Sequence, residues 1–223
     1  PAVAAVRAHV AGFDRALELP LGPGAPTVAV RTPVPLLARR PSGAPVPGLP
    51  RDRPVIVWAF GRTPPAAQPL AALTALARLA AAEGYTLVAS EGLRAVLAPA
   101  PGAAEAVRLL PETTPWPDLL AAARLVVSKA GYSTLAEALR GSAHVIAIGV
   151  TGLAEERAMQ VALARRGFGQ GVPVGTADVA GAVLTAARTL LAGAPRAPLL
   201  EAGEEMVLDQ LEAMVGASGE ADA

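Results

Sequence analysis

Leu125-Val126-Val127-Ser128-Lys129-Ala130-Gly131-Tyr132-Ser133-Thr134-Leu135-Ala136-Glu137 is the stretch on which the fold turns. Leu125 to Val127 is a short apolar run of the kind that forms a buried strand. The run breaks at Ser128 to Gly131, and apolar residues then recur at helical spacing through Leu135, Ala136 and Leu139. Strand, small-residue turn and helix N-terminus together make an anion site, because backbone N–H groups and the helix dipole both favour negative charge there. Lys129 sits in this turn and is the one lysine of the chain, beside 18 arginines. Ala, Gly, Pro, Arg, Val and Leu dominate and Asn is absent, as a GC-rich coding sequence produces. Under such a bias a surface cation drifts to Arg, so a lysine kept in a glycine turn points to a specific task.

Outward from this stretch the chain alternates apolar strands with helices. Strands are predicted at 55–60, 86–89, 95–97, 107–110, 125–127, 145–148 and 171–174. Helices are predicted at 69–82, from Glu91, at 116–123, after Gly131, and at 153–166, 179–191 and 201–215, with a frayed tail from Gly216. Such alternation specifies an α/β fold: a Rossmann-like parallel sheet with helices on both faces. Ligands of such sheets bind at the carboxyl ends of the strands, here just after Phe60, Leu110, Ser128 and Ile148. Toward the N-terminus, residues 2–18 carry helical spacing and 27–30 a short strand. Residues 31–54 hold seven prolines, which predicts an extended connector outside the core.

Of the 223 residues, 52% are apolar and the net charge is zero. No basic stretch exceeds Arg39-Arg40, which argues against a nucleic-acid surface. With no cysteine, disulfides and thiolate metal sites are excluded, and a cytoplasmic location fits. His9 and His144 lack metal-site or catalytic spacing, and there is no Asp-x-Asp pair, so neither metal nor cofactor is expected. The apolar runs are alanine-rich and interrupted by charge, which predicts no transmembrane helix. The chain opens on Pro1 and is expected to belong to a longer protein.

Several residues have two readings. Lys129, Gly131, Tyr132, Ser133 and Thr134 form either a diphosphate cradle or an empty strand-to-helix turn. Glu137 fits a capping box with Thr134 as N-cap, or accepts hydrogen bonds from the two hydroxyls of a ribose. Glu155, Glu156 and Gln160, after the strand at 145–148, suit a helix N-terminus or grip sugar hydroxyls. Gly61, Arg62 and Thr63 offer a further phosphate contact. Gly167 to Gly171 fails the dinucleotide spacing and reads as a helix end and turn.

The stretch from Ser128 to Glu137 resembles the donor-binding motif of GT-B glycosyltransferases. Among these it resembles the peptidoglycan N-acetylglucosaminyltransferase, the monoglycosyldiacylglycerol synthases and the glycosyltransferase-like half of L-arabinokinase. The shared pattern is a cation two before a Gly and a Glu six after it, here Lys129, Gly131 and Glu137. The lead-in Pro117 to Ala123 and the follow-on Glu155 to Gln160, then Gly167, also match. The resemblance spans about residues 55–175. It implies inverting, metal-independent transfer from a nucleotide sugar, with a UDP-sugar favoured. Lys129 and its turn, with Gly61 to Thr63, would meet the diphosphate, and Glu137 the ribose. Backbone at Leu110 and Pro111 would meet the base, and Glu155, Glu156 or Gln160 the sugar. The implied organisation is a remnant of an N-terminal domain plus linker at 1–54, the donor domain at 55–195, and a C-terminal helix and tail at 196–223. The acceptor, the general base and any peripheral membrane association would belong to the missing domain. A non-catalytic binding module and a UDP-sugar 2-epimerase are the alternative readings on this fold.

Overall fold

The computed structural model describes residues 15–22, 30–50, 52–60, 67–97, 104–199 and 203–219. In chain order the elements are β1 (Arg15–Glu18), β2 (Val30–Pro33), β3 (Val55–Ala59), α1 (Ala67–Glu83), β4 (Thr86–Ser90), α2 (Arg94–Leu97), β5 (Val107–Leu110), α3 (Trp116–Ala122), β6 (Leu125–Lys129), α4 (Tyr132–Arg140), β7 (His144–Ile148), α5 (Ala154–Arg165), β8 (Gly169–Val172), α6 (Val179–Ala192) and α7 (Gly203–Gly219). Strands β3 to β8 form one parallel sheet in the order β5-β4-β3-β6-β7-β8.

Strand alternation divides the core in two. Ile56, Trp58 and Phe60 face α1 and α6 with Leu73, Leu76 and Val183. Val55, Val57 and Ala59 face α3, α4 and α5 with Leu119, Leu135 and Leu163. Helices therefore cover both faces, as a parallel sheet requires.

Four sequence expectations change. Residues 1–14 and 27–29 lie outside the described residues, but Arg15–Glu18 is a strand rather than the end of a helix. It pairs in parallel with β2, Leu17 opposite Thr32, and Arg31 bonds Glu18 across the pair at 3.1 Å. At these four residues a ladder partner outweighs the helical spacing of Val3, Val6, Val10, Phe13 and Leu17. Residues 94–97 are helical rather than a strand, continuing a 3₁₀ turn that the Ser90 hydroxyl caps at Gly92 N. The strand expected at 171–174 lies at Gly169–Val172, in register with Val145–Ile148. The expected fray at Gly216 instead continues α7 to Gly219.

The proline-rich segment is extended, yet it is part of the packing: Val34, Leu36 and Val46 are buried, Leu36 and Val46 in the α3/α4/α5 core. It is tied down along its length. Leu37 N donates to the Tyr132 hydroxyl, Ala38 N to Glu204, and Ser42 Oγ and Gly43 N to Asp118. On the same side, Arg196 donates to the carbonyls of Leu139, Gly141 and Ala143 at the end of α4. Burial pushes its guanidinium down to about 10.

Candidate functional site

The sheet order reverses between β3 and β6, so the chain leaves these neighbours toward opposite faces and opens a crevice at their carboxyl ends. Ala59 pairs with Ser128, which puts the end of β3 beside Lys129.

At this crevice β6 runs on to an exposed Lys129. Gly131 is the N-cap of α4, and no side chain caps the helix. The amides of its first turn, Tyr132, Ser133 and Thr134, are the ones an α-helix cannot pair internally. Gly131 has φ −118°, a conformation open to any residue. A Cβ placed there would meet nothing nearer than Lys129 Cε at 3.9 Å. Neither backbone strain nor crowding explains this glycine. Ser133 is exposed and Thr134 half-buried, on the rim of the crevice. Tyr132 turns its hydroxyl to Leu37 N at 3.3 Å, and burial pushes its phenol up.

Glu137 does not form a capping box. The helix begins three residues earlier than that reading required, which places Glu137 in its middle, 5% exposed. Its carboxylate is held bidentately by Arg39, Nε to Oε1 at 2.5 Å and Nη2 to Oε2 at 3.2 Å. This hydrogen bond raises the Arg39 guanidinium above its ordinary range. Beside the ion pair lies a cavity of about 160 Å³, lined also by Ala59, Trp116, Leu120 and Thr134. Trp116 is the first residue of α3, after Pro115 as N-cap and before Pro117, whose missing N–H costs no helical bond in a first turn.

The other candidates are more dispersed. Leu110 and Pro111 lie at the end of edge strand β5, where Leu110 packs against Gly48. Glu156 is buried and accepts from the backbone N–H of Val150, Thr151 and Gly152 at 3.2, 3.0 and 2.9 Å. Gln160 is buried and donates to Ala147 O at 2.9 Å and Val172 O at 3.0 Å, joining the ends of β7 and β8. Glu155 is exposed at the start of α5. Gly61, Arg62, Thr63 and His9 lie outside the described residues, and His144 bonds Ala194 O at 3.2 Å. Gly167, with φ +68°, ends α5 as a turn residue. No helix among the described residues is long and apolar enough to cross a membrane.

Sequence reasoning missed Arg39, Trp116 and Ala59. Trp116 and Ala59 sit at element ends facing the crevice, which strand and helix boundaries could have flagged. Arg39 is 98 residues from its partner, and no local pattern announces it.

No family model and no curated protein matches the sequence. Solved structures do match the fold. The glycotransferase of kitacinnamycin is similar with a TM-score of 0.59 and 20% identity, over 81% of this chain and 47% of that one. The spinosyn rhamnosyltransferase SpnG complexed with thymidine diphosphate has a TM-score of 0.53 and 19% identity, over 73% and 44%. Glycosyltransferase VinC in complex with DTDP has a TM-score of 0.51 and 19% identity, over 85% and 50%. The chain thus spans about half the length of these structures. Its six-stranded parallel sheet, with helices on both faces, is a fold that it shares with about half of each of these glycosyltransferase structures.

Proposed function

We propose that this chain is the nucleotide-sugar-binding half of a glycosyltransferase and that the diphosphate sits at the β6–α4 turn. The observation that carries this reading is Gly131. It needs neither a left-handed φ nor the space that a Cβ would fill, and it stands at an uncapped helix N-terminus beside Lys129. A glycine there lets a ligand approach the backbone closely, the use made of glycine in dinucleotide turns. Lys129, the first-turn amides and the hydroxyls of Ser133 and Thr134 would stabilise the leaving diphosphate as charge develops on it, the electrostatic logic of an oxyanion hole. The Arg62 loop would add to this set. Glu137 would receive the ribose hydroxyls, Leu110 and Pro111 the base, and Glu155, Glu156 or Gln160 the sugar.

On this reading the donor is a UDP-sugar, transfer is inverting and metal-independent, and the protein is cytoplasmic. The domain runs from residue 55 to 195, between a linker and a C-terminal helix. A second domain supplies the acceptor site and the general base. That two of the similar structures hold thymidine diphosphate supports a nucleoside diphosphate as the ligand class.

A non-catalytic nucleotide-sugar module has one observation in its favour. Of the matched sugar residues, Glu156 already accepts from the backbone of the loop at 150–152, and the Gln160 amide nitrogen already donates to Ala147 O and Val172 O at the ends of β7 and β8.

Calorimetric titration with UDP, GDP and UDP-sugars tests the central reading. Lys129→Ala should weaken UDP about tenfold while leaving uridine nearly unchanged, as loss of one charge-assisted contact predicts. Absence of binding by every nucleotide would refute the reading. Binding of UDP-sugar without turnover by the protein joined to its second domain would favour the non-catalytic module.

A further inference from the structure

Arg39 occupies the group that the proposed ligand needs. Both oxygens of the Glu137 carboxylate are engaged by its guanidinium, at 2.5 and 3.2 Å. The two partners differ in freedom. Glu137 is 5% exposed and fixed in the middle of α4, whereas Arg39 is 68% exposed. The backbone around Arg39 is pinned on both sides, by Leu37 and Ala38 before it and Gly43 after it. Release is therefore a swing of one side chain, and the anchors keep that side chain within reach of Glu137.

The ion pair also borders two cavities. Arg39 and Glu137 line the cavity of about 160 Å³ that contains Trp116 and Thr134. They also line a second cavity of about 510 Å³, with Leu37, Ala38, Ser133 and Glu204. The smaller cavity falls below the ~300 Å³ at which small-molecule pockets usually begin. Moving Arg39 uncovers the carboxylate, which lines both.

We propose that Arg39 is an internal occupant of the Glu137 carboxylate, which a nucleoside diphosphate must displace before its ribose diol can bind. This rests on the reading of Glu137 as the ribose acceptor. A state in which the carboxylate is already taken lowers apparent affinity by the fraction of molecules that are open. The cation of this pair stands in water, which limits its hold. The reduction should accordingly be about three- to tenfold. Pyrophosphate has no diol and needs no access to the Glu137 carboxylate, so it should not feel this competition, although Ser133 and Thr134 border the same cavities.

The test is calorimetric titration of the 223-residue chain, and of its Arg39→Ala and Arg39→Gln variants, with UDP and with inorganic pyrophosphate. Both variants should bind UDP about three- to tenfold more tightly, with pyrophosphate affinity unchanged. Weaker UDP binding by the variants would overturn the proposal by making Arg39 a contact of the ligand. Equal UDP affinity in all three proteins would overturn it while leaving the ribose reading intact. No UDP binding by any of them would overturn both. In wild type, saturating UDP should move the Arg39 Nε–H resonance to the position of a solvated arginine, and a resonance that stays in place would contradict the displacement.

Discussion

Replacing Glu156 by alanine should lower folding stability by about 2 kcal/mol without abolishing UDP binding. Three backbone N–H groups, from Val150, Thr151 and Gly152, converge on Oε2 within 3.2 Å. The carboxylate is buried, and the loop it holds includes Gly152 at φ +72°. Three independent hydrogen bonds to a charge would suggest about 4.5 kcal/mol at about 1.5 each. The donors, however, lie in a loop where Val150 and Thr151 are exposed. Water can replace part of what is lost, so the lower figure is expected. A loss of this size lowers the midpoint of thermal unfolding by about 4–8 °C in a domain of this length. Urea unfolding followed by far-UV circular dichroism measures it, and the Gln variant should fall between alanine and wild type. An alanine variant within 0.5 kcal/mol of wild type, with more than tenfold weaker UDP-sugar binding, would refute the reasoning. The carboxylate would then be aimed at the ligand rather than at its own loop.

Two further outcomes follow from the packing. Gly141→Ala places a Cβ 2.6 Å from Ala121 Cα and 2.9 Å from its carbonyl oxygen, where α3 and α4 meet. Backbone cannot yield as a side chain can, so a loss of about 2–3 kcal/mol is expected in urea unfolding, and a neutral result would mean that the helices are farther apart. The Glu204 carboxyl is held down to about 2: burial opposes this, but hydrogen bonds from Arg140 and from Ala38 N outweigh it. A depressed folded value stabilises above the unfolded carboxyl range near 4.3 and is lost as pH falls toward 2. Glu204→Gln should therefore flatten the fall of melting temperature between about pH 4.5 and 2, and identical slopes for the two proteins would contradict the ion pair.

The sheet was legible in the sequence because its central strands are almost wholly buried. Val55 to Ala59 and Leu125 to Val127 have no polar residue to obscure them, and a parallel sheet covered on both faces demands such runs. Two short segments were misread, although the four-residue β5 was placed correctly. Arg94 to Leu97 and Arg15 to Glu18 are four residues each, too few for a period of 2 to be told from one of 3.6. Glu137 shows why a motif needs its context. Thr134-x-x-Glu137 matches a capping box letter for letter, but Gly131 already serves as N-cap and the helix starts at Tyr132. Its true partner, Arg39, comes from the far side of the sequence through a segment whose prolines suggested only a tether. Burial of Leu36 and Val46 brings that segment onto α4, and apolar residues among prolines carry no period that would reveal it.

The most direct measurement is a backbone amide ¹⁵N–¹H titration of the chain with UDP. If the β6–α4 turn is the diphosphate site, the largest shifts should fall on Lys129 to Thr134, with smaller ones at Ala59, Trp116 and Glu137. The amino-terminal strand ends at Val55, Thr86 and Leu125 should not move. Shifts concentrated away from the turn, or none at saturating UDP, would contradict the account.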